Sequence, residues 1–142
     1  MVDIVIGAIK PELVDIVWPL VHQHILMATQ FSNDELNVDQ IKESIKNGVV
    51  LLLVVYKDGK IIASCTIEKR TFDSGKVVVH ISTLGGSEME LWADKMDKAI
   101  ESVALEQGCN ELYIIGRKGW DKYLKKRGYN HVHTVLCKKI GV

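Results

Sequence analysis

Two apolar runs joined by a tight-turn dipeptide constrain this chain more than any other feature. Val49 to Tyr56 is a continuous stretch of β-branched residues and leucine, Lys57-Asp58-Gly59-Lys60 carries the Asp-Gly signal of a two-residue hairpin turn, and Ile61 to Glu68 is a second run. After a polar turn at Asp73-Ser74-Gly75, Lys76 to Thr83 reads as a third strand, ending at Gly85-Gly86. The middle of the chain is therefore an antiparallel meander of three strands, which must be covered by apolar helical faces.

The flanks supply those faces. Val2 to Ile6 reads as an opening strand, and Pro11 stands where a first helical turn tolerates it. From Glu12 to about Thr29, Leu13, Ile16, Val17, Leu20, Val21, Ile25 and Leu26 recur at spacings of three and four, with Pro19 expected to bend or split the helix. Asn37-Val38-Asp39-Gln40 opens a short amphipathic helix through Ile41 and Ile45 that Asn47-Gly48 stops. Ser87 to Gln107 carries Met89, Trp92, Met96, Ile100, Val103 and Ala104 on one face, and Gly108 closes it. Glu111 to Ile115 is then a short strand, Gly119 to Lys126 a short helix stopped by Gly128, and His131 to Lys139 a final strand. A parallel crossover thus follows an antiparallel meander.

At 142 residues this is one domain, spanning 1–142, since halving it would leave two marginal cores. The 18 basic and 18 acidic side chains cancel, so no long-range field gathers phosphates, and nucleic acid or an anionic membrane is disfavoured as a partner. Cys65, Cys109 and Cys137 have no metal-ligand spacing, and no secretory signal is legible. They read as small core residues in a reducing, cytoplasmic compartment. The apolar runs are too short to cross a bilayer.

The order of elements, with Ala99 to Cys109 running into Glu111-Leu-Tyr-Ile-Ile115 and then Tyr123-Leu-Lys-Lys-Arg-Gly-Tyr129, resembles the GNAT (N-acetyltransferase) superfamily. The resemblance implies an α/β fold with a mixed central sheet, an antiparallel meander followed by a βαβ crossover, and helices on both faces. It implies that the fourth and fifth strands splay apart. Acetyl-CoA would lie in the gap, with its pyrophosphate at the start of the long helix, where free N–H groups and the helix dipole favour anions. Gly116 to Tyr129 also resembles divergent phage-encoded members, including internal virion proteins of T7-like phages. That implies a role in the host cytoplasm or the virion with a protein partner.

On that resemblance the cofactor-binding candidates are Leu84, Gly85, Gly86 and Ser87, with Arg117 and Trp120 after the fifth strand. The Gly-x-Gly or Gly-x-Ala step that wraps the pyrophosphate in active members is missing, because Ser87-Glu88-Met89-Glu90-Leu91-Trp92 is bulky and acidic. Ser87 and Glu90 read instead as a capping box that occupies the helix donors. Where active relatives often carry a proton-donating tyrosine, this chain has Leu124, and Tyr123 is rotated from it by about 100°. Trp120 places a ring where a small residue usually lets cofactor pass. Glu68 and His80 are the candidate general bases, with Tyr123 the candidate acid.

His131 and His133 would share a strand face, but no third ligand accompanies them, so no metal is expected. Arg117, Lys118, Lys122, Lys125, Lys126 and Arg127 form the basic concentration, expected as a solvated helix face, with contact to phosphate of CoA, nucleic acid or an acidic partner as the alternative. The reading is a GNAT-like domain with a degenerate acetyl-CoA site, acting as a binding or virion-assembly factor and requiring no cofactor. An acetyl-CoA-dependent N-acetyltransferase is the alternative, and a nucleic-acid-contacting module is weaker. The edge of the final strand offers a route to a homo-oligomer.

Overall fold

The computed structural model describes residues 2–116 and 118–141, with Lys118 described in its backbone only. Five strands form a single sheet in chain order. β1 (Ile4–Ile9), β2 (Val50–Lys57), β3 (Lys60–Thr71) and β4 (Val77–Gly86) run antiparallel, each to the next, and β5 (Leu112–Ile114) is parallel to β4. The meander is therefore four strands rather than three, because the opening segment pairs with β2 from Ile4↔Lys57 to Ile9↔Leu52. The Asp-Gly turn forms where expected, with Asp58 and Gly59 both at positive φ.

Two cores explain why the β2 run is apolar without alternation. Leu53 and Val55 face one side, together with Cys65, Ile67, Val79 and Ile81, and are covered by Trp92, Met96, Ile100 and Ala104 of α3 (Met89–Glu106). Leu52 and Val54 face the other side, covered by Val14, Val21 and Ile25 of α1 (Val14–Thr29) and by Ile41 and Ile45 of α2 (Val38–Lys46). A sheet buried on both faces needs apolar residues at consecutive positions. Each fully buried isoleucine or leucine here contributes about 1.5–3 kcal/mol by removal from water.

α1 follows a single 3-10 turn (Pro11–Leu13) and continues through Pro19 as one helix. Its buried stripe is Val14, Val21 and Ile25, with Val17 and Trp18 half-covered, whereas Leu13, Ile16 and Leu20 are exposed. The three-and-four spacing fits both faces of α1, and packing on the sheet selects one of them. α2 is capped as expected, for the Asn37 side chain accepts from the N–H groups of Asp39 and Gln40 at 3.0 and 3.1 Å.

The chain then departs from expectation at its end. After a 3-10 turn (Lys118–Trp120), α4 is only Asp121–Lys125, and no strand forms between His131 and Lys139 among the described residues. That segment is exposed throughout, with Val132, Val135 and Leu136 at 64%, 71% and 88% exposure. The sheet ends at β5, whose three residues offer too short an edge to template the strand expected from His131 to Lys139. His131 and His133 consequently do not share a strand face, and the edge expected to pair between subunits is not built. Among the described residues, the last one packed on a core is Tyr129.

Candidate functional site: the gap between β4 and β5

β4 and β5 pair only at Val79↔Leu112, His80↔Tyr113 and Ile81↔Ile114, yet β4 continues to Gly86. Beyond Ile81 the two strands part, leaving the main-chain edge of β4 open on that side. Two cavities flank this gap and share a wall of six side chains: Ile81, Leu84, Met89, Trp92, Ile114 and Trp120. On the α3–α4 side is a slot of about 30 Å³, completed by residues such as Met96, Tyr123, Arg127 and Tyr129. That volume holds about one water. On the α1 side is a cavity of about 250 Å³, bounded by Met27, Ala28, Phe31, Ser32 and Leu36 and by Ser82 to Gly86.

Leu84, Gly85, Gly86 and Trp120 are thus brought to the gap, while Arg117 lies outside the described residues. The two glycines have a structural explanation. Gly85 pairs with Ser64, and a Cβ there would stand 2.6 Å from the carbonyl oxygen of His24, so the α1 backbone needs the bare glycine to pack. Gly86 pairs with Ala63, sits at φ +139°, and would place a Cβ 2.4 Å from the Ala63 Cα. Both belong to the β3–β4 ladder.

Ser87 does not cap α3, and the expected capping box with Glu90 is not formed. Its N–H donates to the Ile62 carbonyl at 3.0 Å, its hydroxyl also reaches that carbonyl at 3.5 Å, and its own carbonyl accepts from the Trp92 indole at 2.8 Å. The N-cap residue is Glu88, in the left-handed region at φ 55° and without a side-chain cap. Its carboxylate instead pairs with Lys57 at 2.6 Å, which raises the lysine's pKa. The start of α3 therefore keeps uncapped N–H groups but has Glu88 and Glu90 beside them.

Glu68 and His80 are brought together, away from the gap. They are register partners on β3 and β4, with His80 Nδ1 4.0 Å from Glu68 Oε1, and neither lines either cavity. Glu68 is held by Arg70 at 3.2 and 3.3 Å. His80 is 5% exposed, neither ring nitrogen has a hydrogen-bond partner among the described residues, and burial, followed by the charge of Arg70, lowers its pKa to about 4. It is neutral at pH 7 and lines neither cavity.

Tyr123 does face the narrow slot, half-exposed. Tyr129, which had only marked the glycine-aromatic step in the sequence, is the structurally engaged phenol. Its O–H donates to Asp97 at 2.8 Å, and burial followed by that bond raises its pKa, so it ties the chain to α3 rather than giving up a proton. The Cys65 thiol, pushed up to about 12 by burial, is no nucleophile. Arg127 of the basic cluster is occupied by Asp94 at 2.9 Å. Sequence reasoning missed Met27, Ala28, Phe31 and Leu36 as site residues, because their apolar character is indistinguishable from core until the sheet gap is seen.

This architecture, a mixed sheet parted between β4 and β5 with helices on both faces, is the GNAT-like acyl-CoA N-acyltransferase fold. Among solved structures, a ribosomal-protein-alanine N-acetyltransferase from Brucella melitensis superposes with a TM-score of 0.68 at 11% identity, covering 99% of this chain and 100% of that one. A predicted acetyltransferase from Clostridium acetobutylicum, solved with acetyl-CoA, gives 0.68 at 12% identity over 98% and 96%. An aminoglycoside acetyltransferase from an uncultured soil metagenomic sample, in complex with sisomicin, gives 0.70 at 13% identity over 98% and 96%. At such identities the likeness is one of fold. No family model and no curated protein matches the sequence. No helix among the described residues is long and apolar enough to cross a membrane.

The place where such a fold implies acetyl-CoA is the gap between β4 and β5, and six side chains line it from both sides. The shared wall stands between the α3–α4 slot and the α1-side cavity. Met89 and Trp92 of α3 and Trp120 are its contributions from outside the strands, Trp92 being buried in the core.

Proposed function

We propose that this chain is a GNAT-fold binding protein with a closed acetyl-CoA passage, acting through a partner rather than by acyl transfer. The observation that carries the proposal is the wall of Ile81, Leu84, Met89, Trp92, Ile114 and Trp120 between the two cavities. The absence of a carboxylate or imidazole from the α1-side lining, among the described residues, supports it, since an attacking amine has no side-chain base there. The likeness of Gly116 to Tyr129 to phage-encoded members favours a protein partner, a virion component included, in the host cytoplasm or particle. A net charge of zero speaks against nucleic acid.

Calorimetric titration with acetyl-CoA tests this directly, alongside a thiol-release assay. The unaltered protein should give no saturable heat up to millimolar cofactor and no rise in melting temperature, whereas bound cofactor would stabilise it by mass action. The double variant Trp120→Ala, Met89→Ala should gain binding. Micromolar affinity in the unaltered protein would overturn the proposal.

The uncapped start of α3 favours one second reading, an acetyl-CoA-dependent N-acetyltransferase with Leu84, Gly85, Gly86 and Ser87 at the cofactor and Glu68, His80 and Tyr123 in proton transfer. Glu68 and His80 would have to act at a distance, and the same titration decides between the readings.

A further inference from the structure

We propose that the outer face of α1 is a self-association surface, on which a second copy of this chain packs antiparallel about a two-fold axis at Leu20. α1 is apolar on two faces. At about 100° per residue, Val14, Val21 and Ile25 point to the sheet, and Ile16, Leu20, Gln23 and Met27 lie opposite, with Leu13 and Pro19 beside them. Ile16 is 72% and Leu20 59% exposed, and Leu13, Pro19 and Met27 are exposed as well. No charged residue stands between Asp15 and Asp34, in a chain that is 25% charged. An uncharged helix with apolar residues on both faces belongs between two layers rather than at a surface, and the fold supplies one layer.

The stripe is complementary to itself. Leu13 and Met27 stand equally far along the helix on either side of Leu20, about two turns each way. A two-fold axis at Leu20 therefore sets that side chain on its own counterpart and Leu13 against Met27 of the other copy, apolar on apolar. The stripe carries no charge, so the pairing opposes no like charges, and two-fold pairing of one patch with itself is the commonest form of association. Asp15, beside the stripe, is already held by Lys42 and Lys46 of α2 at 3.3 and 3.2 Å. Two such stripes with their flanks come to roughly 1,000 Å², the area a specific interface has to clear, so the dimer is a micromolar one. A bilayer surface is the wrong partner, because α1 contains no lysine or arginine to set beside its apolar face, and the acidic residues Glu12 and Asp15 lie at its start.

The inference goes beyond the function proposed above and does not rest on it. Acetyl-CoA binding would overturn the closed passage and leave this face as it is, since of the stripe residues only Met27 borders a cavity. Sedimentation-velocity centrifugation of the full chain should show dimer at about 100 µM and monomer at about 1 µM. Leu20→Lys, which sets two like charges together on the axis, should weaken the dimer at least about tenfold, whereas Leu20→Met should preserve it. Leu20 is exposed in the single chain, and circular dichroism checks that both variants are folded. With Cys137→Ser removing the exposed thiol, Leu20→Cys should cross-link to a covalent dimer under diamide, and Leu105→Cys, exposed on α3 across the sheet, should not. A monomer at every concentration, a dimer left intact by folded Leu20→Lys, or cross-linking no faster for Leu20→Cys than for Leu105→Cys would overturn the inference. So would a monomer that co-sediments with phosphatidylcholine vesicles, which would give the face to a bilayer.

Discussion

At the scale of single residues, backbone conformation and burial set the sharpest expectations. Gly86 combines a positive φ with a ladder position against Ala63, so Gly86→Ala must both strain the backbone and move β3. A loss of about 2–4 kcal/mol in urea denaturation is expected. Gly48 has φ +77° with open space around it, and Gly48→Ala should cost only about 1 kcal/mol. Equal losses at the two positions would show that the close approach of β3 and β4 at Gly86 contributes nothing. The sequence offered Gly85 and Gly86 as cofactor-binding candidates, because glycine's freedom from a Cβ serves close approach of a ligand and tight packing equally well. Only the neighbour across the ladder distinguishes the two uses.

His80 makes a second residue-scale prediction. Its folded pKa of about 4 lies below the ordinary 6.5, so above pH 6.5 the imidazole is neutral in both states and contributes nothing. As the pH falls through 6.5 the unfolded chain takes up a proton that the folded chain refuses. The resulting destabilisation reaches about 3 kcal/mol near pH 4. His80→Leu, neutral at every pH, should lack this component, so the stability difference between wild type and variant should shift by about that amount between pH 7 and pH 4. Carboxylates titrating in the same window are common to both proteins and cancel in the difference. A constant difference across the window would mean that His80 protonates in place.

Among the elements, two helix starts show where legibility ends. Asn37 was readable as the opening of α2, and the structure uses it as a cap with two N–H groups on its side-chain oxygen. Asn37→Ala should lower stability by about 1 kcal/mol, measured by thermal or urea unfolding, and a change below a few tenths would show that α2 is held by packing alone. Ser87 with Glu90 carries the same pattern and forms no cap. The reason is that β4 keeps its ladder with β3 to Gly86, and the Ser87 N–H extends that ladder onto the Ile62 carbonyl. A local capping motif was overridden by a strand longer than its apolar run suggests. The glutamates beside the helix start were legible, but the pairing of Glu88 with Lys57 required knowing that the β2–β3 turn lies against α3.

For the whole molecule, the order of elements was legible because periodicity changes cleanly between strands and helices, and because one domain of this length has few ways to cover a meander. The final strand was not, since β-branched residues after Tyr129 carry strand propensity whether or not a sheet edge is there to receive them. This difference yields a test of how far the folded unit extends. Among the described residues, both cores are complete without residues 131–141, and the side-chain tie of that segment to the body is an exposed contact of His131 with Asp121 at 3.2 Å. A contact so exposed contributes little. Tyr129, in contrast, packs on the α3 core and donates to Asp97, and a hydrogen bond to a charged group contributes about 1.5–3 kcal/mol. A chain ending at Asn130 should therefore unfold within about 1 kcal/mol of the full protein, while one ending at Gly128 should lose at least about 2 kcal/mol. Tyr129→Phe in the full chain should recover part of that second loss by keeping the ring and removing only the hydroxyl. If truncation at Asn130 were as damaging as truncation at Gly128, the residues after Tyr129 would have to be part of the folded unit, and the β-branched residues that suggested a strand there would regain their meaning.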